Sequence, residues 1–146
     1  MKNLSALLAV FFMVISISSC HEDGPIPMIW EFADYNTEEI TAAYTPDYYN
    51  QVQISAKPGY KGEITLKCTN FPIVTFLSWG TDKTLVNKEC GYTLTKVSDN
   101  TVKISFSPIS LPDNANEVSD FVGITGSNGK ESSSTNMAIS RRIADR

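Results

Sequence analysis

Gly62-Glu63-Ile64-Thr65-Leu66-Lys67-Cys68-Thr69 is the stretch that decides the fold class of this chain. Ile64, Leu66 and Cys68 alternate with Glu63, Thr65 and Lys67, so an extended backbone puts the apolar set on one face and the polar set on the other. A helix would scatter the same residues around its circumference. The stretch therefore reads as a half-buried strand, and it aims Cys68 inward. Thr101-Val102-Lys103-Ile104-Ser105-Phe106-Ser107 repeats the pattern with Val102, Ile104 and Phe106 inside. Tyr92-Thr93-Leu94-Thr95-Lys96-Val97 precedes it, and Ser98-Asp99-Asn100 supplies a turn. Residues 91–97 and 101–107 are thus predicted to form a β-hairpin.

Outward from this centre the same two-residue period recurs. It marks strands at Ile29–Ala33, Ile40–Tyr44, Gln51–Ala56, Ile73–Trp79, Phe121–Thr125 and Asn136–Ile143. Pro58-Gly59-Tyr60-Lys61-Gly62, Thr81-Asp82-Lys83 and Pro112-Asp113-Asn114 break the runs, and Gly126-Ser127-Asn128-Gly129-Lys130 reads as a hairpin loop. The competing helix is Thr37–Ala43, with Thr37 as its cap. Strand is favoured from Ile40 onward because Tyr44 and Thr45 prefer sheet. The expected fold is all-β, an antiparallel sandwich of about eight strands.

The first twenty residues carry a different message. Lys2 is a lone positive charge, and the run from Leu4 is apolar through Ile17 apart from Ser5 and Ser16. A short positive start, an apolar stretch of about 7–15 residues and small residues before a cut make a secretory signal peptide. The stretch is shorter than the ~20 residues that cross a bilayer. Ile17-Ser18-Ser19-Cys20 resembles the lipobox of bacterial lipoproteins. That resemblance implies lipidation of Cys20, which becomes the new N-terminus and a firm membrane anchor, because several acyl chains hold where one binds marginally. The expected division is 1–19 signal peptide, 20–27 lipidated anchor and spacer, and 28–146 a single β-sandwich domain. Glu22-Asp23, soon after the anchor, resembles the surface-export signals of Bacteroidetes-type lipoproteins. An outer-membrane location follows, either surface-exposed or facing the periplasm.

Val52-Gln53-Ile54-Ser55-Ala56, a glycine-containing turn and Gly62 to Asn70 together resemble small immunoglobulin-like modules of Bacteroidetes lipoproteins, among them the BACON-type domains. The resemblance implies an immunoglobulin-like sandwich and capture of glycan or mucin. Ala138-Ile139-Ser140-Arg141-Arg142-Ile143 departs from that family, whose last strand closes on a valine–glutamine pattern.

The whole chain has 146 residues and a formal charge of −4, and the loss of Lys2 with the signal makes the remainder one charge more acidic. That balance argues against nucleic acid as a partner. Of three cysteines, Cys68 and Cys90 remain after Cys20 is set aside. In an exported domain they are an expected disulfide, worth about 3 kcal/mol for a loop of this length. Two free buried thiols are the alternative. The single histidine, His21, lies in the spacer, so neither a zinc site nor a nucleophile–histidine pair is expected. Asp113-Asn114-Ala115-Asn116-Glu117 with Asp120 offers oxygen ligands but not the calcium-loop spacing. No enzyme and no cofactor are expected. The candidate ligand contacts are Tyr44, Asp47, Tyr48 and Tyr49, in a segment that pairs flat aromatic faces with the hydroxyl-directed groups of Asp47, Asn50 and Gln51. The chain reads as a membrane-anchored accessory lipoprotein that captures a glycan or a protein partner at the cell surface. The alternative is a structural subunit of an envelope complex with no small-molecule ligand.

Overall fold

Alternation of inward and outward side chains builds ten strands among the described residues. The computed structural model describes residues 26–46, 50–76 and 83–143. The strands are β1 (Trp30–Ala33), β2 (Ile40–Thr45), β3 (Gln51–Ala56), β4 (Gly62–Cys68), β5 (Ile73–Phe76), β6 (Thr84–Asn87), β7 (Tyr92–Ser98), β8 (Thr101–Phe106), β9 (Glu117–Ser127) and β10 (Ser132–Arg142). They form two five-stranded sheets. The first runs β1-β4-β8-β7-β6 and the second β2-β3-β10-β9-β5. One core joins them, with Ile64, Leu66, Leu94, Val102 and Ile104 from the first sheet and Val52, Ile54, Val122, Ile124, Met137 and Ile139 from the second. Burying each such side chain contributes about 1.5–3 kcal/mol. Trp30 spans the layers, donating its indole N–H to Thr135 Oγ1 at 3.1 Å.

Several expectations hold. β4 buries Ile64, Leu66 and Cys68, and β7 pairs β8 as the predicted hairpin, with an irregularity at Lys96/Ser98. Asn128 Oδ1 accepts from the N–H groups of Lys130 and Glu131 and closes the β9–β10 hairpin, with Gly129 at a φ of 86°. The Thr37–Ala43 alternative resolves toward strand. The Asn36 carbonyl accepts from the Glu39 and Ile40 N–H groups, which makes one turn that runs straight into β2.

Two expectations need correction. The strands number ten rather than about eight, and the sandwich is not wholly antiparallel. β10 pairs β3 in parallel, from Asn136↔Gln51 to Arg141↔Ala56. Hydrophobic alternation places a strand's faces but not its direction, and no hairpin ties β3 to β10. β6 escaped notice because four residues with only Leu85 buried are too short for a period to register.

Candidate functional site

The predicted contacts divide. Cys20, Asp47, Tyr48 and Tyr49 lie outside the described residues, as does Trp79. Tyr44 lies on the inner side of β2, where its ring packs against the core and its hydroxyl donates to the Met28 carbonyl. Its polar tip is therefore engaged within the fold. Beyond 47–49, Asn50 donates from Nδ2 to the Ser134 carbonyl at 2.7 Å. That bond fixes the start of β3 against β10 and so places Gln51.

Cys68 and Cys90 are both buried and both free, so the expected disulfide is not formed. Cys68 ends β4 opposite Trp30. Cys90 lies just before Tyr92, which pairs with Phe106, and Phe106 pairs with Gly62 at the other end of β4. The length of β4 therefore separates the two cysteines, about 20 Å at the strand rise. A disulfide needs Cα atoms within about 7 Å. Alternation aimed both thiols inward but did not say at which end. Burial pushes both thiols above their ordinary pKa, which keeps them protonated and unreactive.

Two polar side chains, one buried and one half-buried, organise the gap between the sheets. Arg141, on β10, is fully buried. Its Nη1 donates to the carbonyls of Cys90, Gly91 and Ser107, and its Nη2 to those of Lys57, Pro58 and Tyr60, at 2.8–3.3 Å. The guanidinium carbon lies 5.1 Å from the Phe106 ring centroid. Six carbonyl dipoles thus stand in for a counter-ion and tie three loops together. Gly91 is required beside it: its φ is +60°, and a Cβ there would meet Ile109 at 2.3 Å and the Ser107 carbonyl at 2.8 Å. Asp120, on β9, turns toward the first sheet. Its Oδ2 accepts from Tyr92 Oη and Asn87 Nδ2, both at 2.6 Å. Burial pushes the Asp120 carboxyl up, but hydrogen bonds from Tyr92, Asn87 and the Phe121 N–H outweigh it and hold it below its ordinary value. Asp120 is thereby taken away from the oxygen-rich Asp113–Glu117 run. No group of three or more His, Cys, Asp or Glu side chains gathers to hold a metal among the described residues.

The surface that stands out is the outer face of the second sheet, which forms a shallow concavity of about 600 Å³. Register lays its side chains in rows across β2, β3, β10 and β9. The middle row is Ala43, Gln53, Ala138 and Phe121. On one side runs a hydroxyl row of Thr41, Ser55, Ser140 and Ser119, and on the other Thr45, Gln51, Asn136 and Gly123. None of these positions carries a charge. Among the described residues charge returns only at the rim, where Lys57 Nζ meets Glu39 Oε1 at 3.3 Å and Arg142 pairs in register with Glu117. Phe121 is 66 % exposed, the most exposed large hydrophobic residue among those described. The outer face of the first sheet is ordinary by contrast. It presents Glu31, Glu63, Lys67 and Lys103, with Lys103 bridged to Glu63 at 3.1 Å.

Sequence reasoning missed this face because it is assembled from four strands remote in the chain and from residue types that draw no attention. One signal was present. In the strand at Phe121–Thr125, Val122 and Ile124 set the inward phase, so alternation alone turns Phe121 outward. Neither a family model, nor a curated protein, nor a solved structure matches the chain.

Proposed function

We propose that this chain is a membrane-anchored accessory lipoprotein, tethered through Cys20, that captures a glycan at the cell surface on the outer face of its second sheet. The observation that carries the reading is the uncharged floor of that face, with exposed Phe121 among amides and hydroxyls. Sugars present apolar C–H faces that lie on an aromatic ring and hydroxyls that pair with amide and hydroxyl groups. A protein partner fits less well, because protein interfaces concentrate their energy in buried Trp, Tyr and Arg anchors within an apolar centre. Among the described residues, the rows around Phe121 hold only alanine, glycine, serine, threonine, glutamine and asparagine. The acidic balance disfavours nucleic acid.

The finer fold reading, an immunoglobulin-like sandwich, draws support from the strand order. The hairpin β7–β8 lies beside β4 in one sheet and the hairpin β9–β10 closes the other, with the early strands shared between the two. The test of function is a glycan array probed with the wild type and with Phe121→Ala, alongside fatty-acid labelling of the wild type and Cys20→Ala. Binding lost in Phe121→Ala and labelling lost in Cys20→Ala are the expected results. An array silent for the wild type would favour the structural-subunit alternative.

A further inference from the structure

We infer that the ligand is an uncharged glycan chain of at least three sugar units, lying across β9, β10, β3 and β2 with one pyranose face on Phe121. This rests on the glycan-capture reading and narrows it to a substrate class. The first argument is charge. A uronate or sulfate on this face would meet no cation on its floor, since the three rows carry none. At the rim, Lys57 is already bonded to Glu39 and Arg142 stands opposite Glu117. Glu38, Glu39 and Glu117 line the same concavity, so an anionic ligand would approach acidic groups on a chain of net charge −4. Desolvating a charge without a partner is costly, whereas hydroxyls exchange water for amide and serine partners at little loss.

The second argument is shape. Phe121 is a single small ring and takes one sugar face. Ala138, directly across from it, is small enough to leave room for the neighbouring unit, and Gln53 and Ala43 continue the row. Four strands span three inter-strand spacings, about 14 Å, which matches a short oligosaccharide and exceeds a monosaccharide. Along this path one edge of the chain meets the hydroxyl row and the other meets Gln51 and Asn136, so both edges of each sugar find polar partners.

The experiment is a calorimetric titration of the full-length protein. Its probes are uncharged gluco-, manno- and xylo-oligosaccharides of one to six units, and anionic oligogalacturonates and chondroitin sulfate fragments of matching length. At least one uncharged series should bind, with affinity rising tenfold or more from one to three units and the anionic sets at least tenfold weaker. Phe121→Ala should lose tenfold or more, and Phe121→Trp should bind as well as the wild type or better. Ala138→Glu, checked for fold by circular dichroism, should abolish binding, while Thr93→Glu on the opposite sheet should leave it unchanged. Anionic chains binding as tightly as the uncharged ones would overturn the ligand class while leaving glycan capture in place. Failure of every glycan to bind would overturn both.

Discussion

Arg141 shows how a single residue can hold a fold that apolar burial alone leaves open. Its guanidinium is buried with no carboxylate beside it among the described residues, and burial lowers its pKa without discharging it. Replacing it with methionine keeps the volume but strips six carbonyls of their donor. Each orphaned buried acceptor costs about 1–3 kcal/mol where water cannot reach it. Arg141→Met should therefore lower the melting temperature by well over 10 °C or prevent folding, and Arg141→Lys should rescue little, because an ammonium cannot reproduce the planar fork. Thermal melts of the two variants decide this. Asp120 carries a second prediction. A carboxyl held below its ordinary value stabilises the fold above the unfolded pKa of about 3.9, and that stability is lost as pH falls through the lower folded value. Asp120→Asn keeps the shape but weakens the bonds from Tyr92 and Asn87. It should cost about 1–3 kcal/mol at neutral pH, and the gap to the wild type should shrink as melts are taken below about pH 4. The cysteines give a third. Both thiols should resist alkylation in the native protein and react together on unfolding, with no change in gel mobility under reduction.

At the scale of elements, legibility followed how cleanly apolar residues fill the inward positions. β4 and β8 were readable because Ile64, Leu66, Val102, Ile104 and Phe106 do so without exception. The part of β10 before Asn136 and the part of β9 before Phe121 were not, although Asn136–Ile143 was, because polar groups occupy inward positions there. Ser133, Thr135 and Arg141 interrupt Met137 and Ile139, and Asp120 interrupts Val118 and Val122. Three of those interruptions, Thr135, Arg141 and Asp120, bridge the sheets. The Trp30–Thr135 bond, the Arg141 clamp and the Asp120 network each need a polar group where a core pattern would place an aliphatic one. The uncharged face of the second sheet was illegible for a related reason. Its rows depend on register between β3 and β10, a parallel pairing that no turn announces. Tyr44 misled because aromatic crowding in a sequence does not reveal which ring faces in.

At the scale of the whole molecule, the place where residues 26–30 enter the fold orders the surface. Asn70 accepts the Ile29 N–H and donates to the Pro27 carbonyl, and Tyr44 donates to the Met28 carbonyl, so the chain enters the fold at one pole. The end of β2, the start of β3 and the β9–β10 hairpin tip share that pole, together with exposed Ile26, Ile29 and Ile73. The loops gathered by Arg141, and the Pro112–Asn116 turn whose Asn116 carbonyl accepts the Ile143 N–H, lie at the other. If Cys20 carries the proposed lipid, the six residues from it to Ile26 span at most about 20 Å. On the proposed anchoring the first pole would be held near the membrane, and the uncharged face of the second sheet would stand side-on, with its rows reached from the flank. An epitope tag inserted at Asp113-Asn114 should accept antibody on intact cells or on proteoliposomes. The same tag at Gly129-Lys130 should be shielded until detergent is added. Equal access at both sites would mean that the tether leaves the domain free to tumble, and the face would then be presented without a fixed direction.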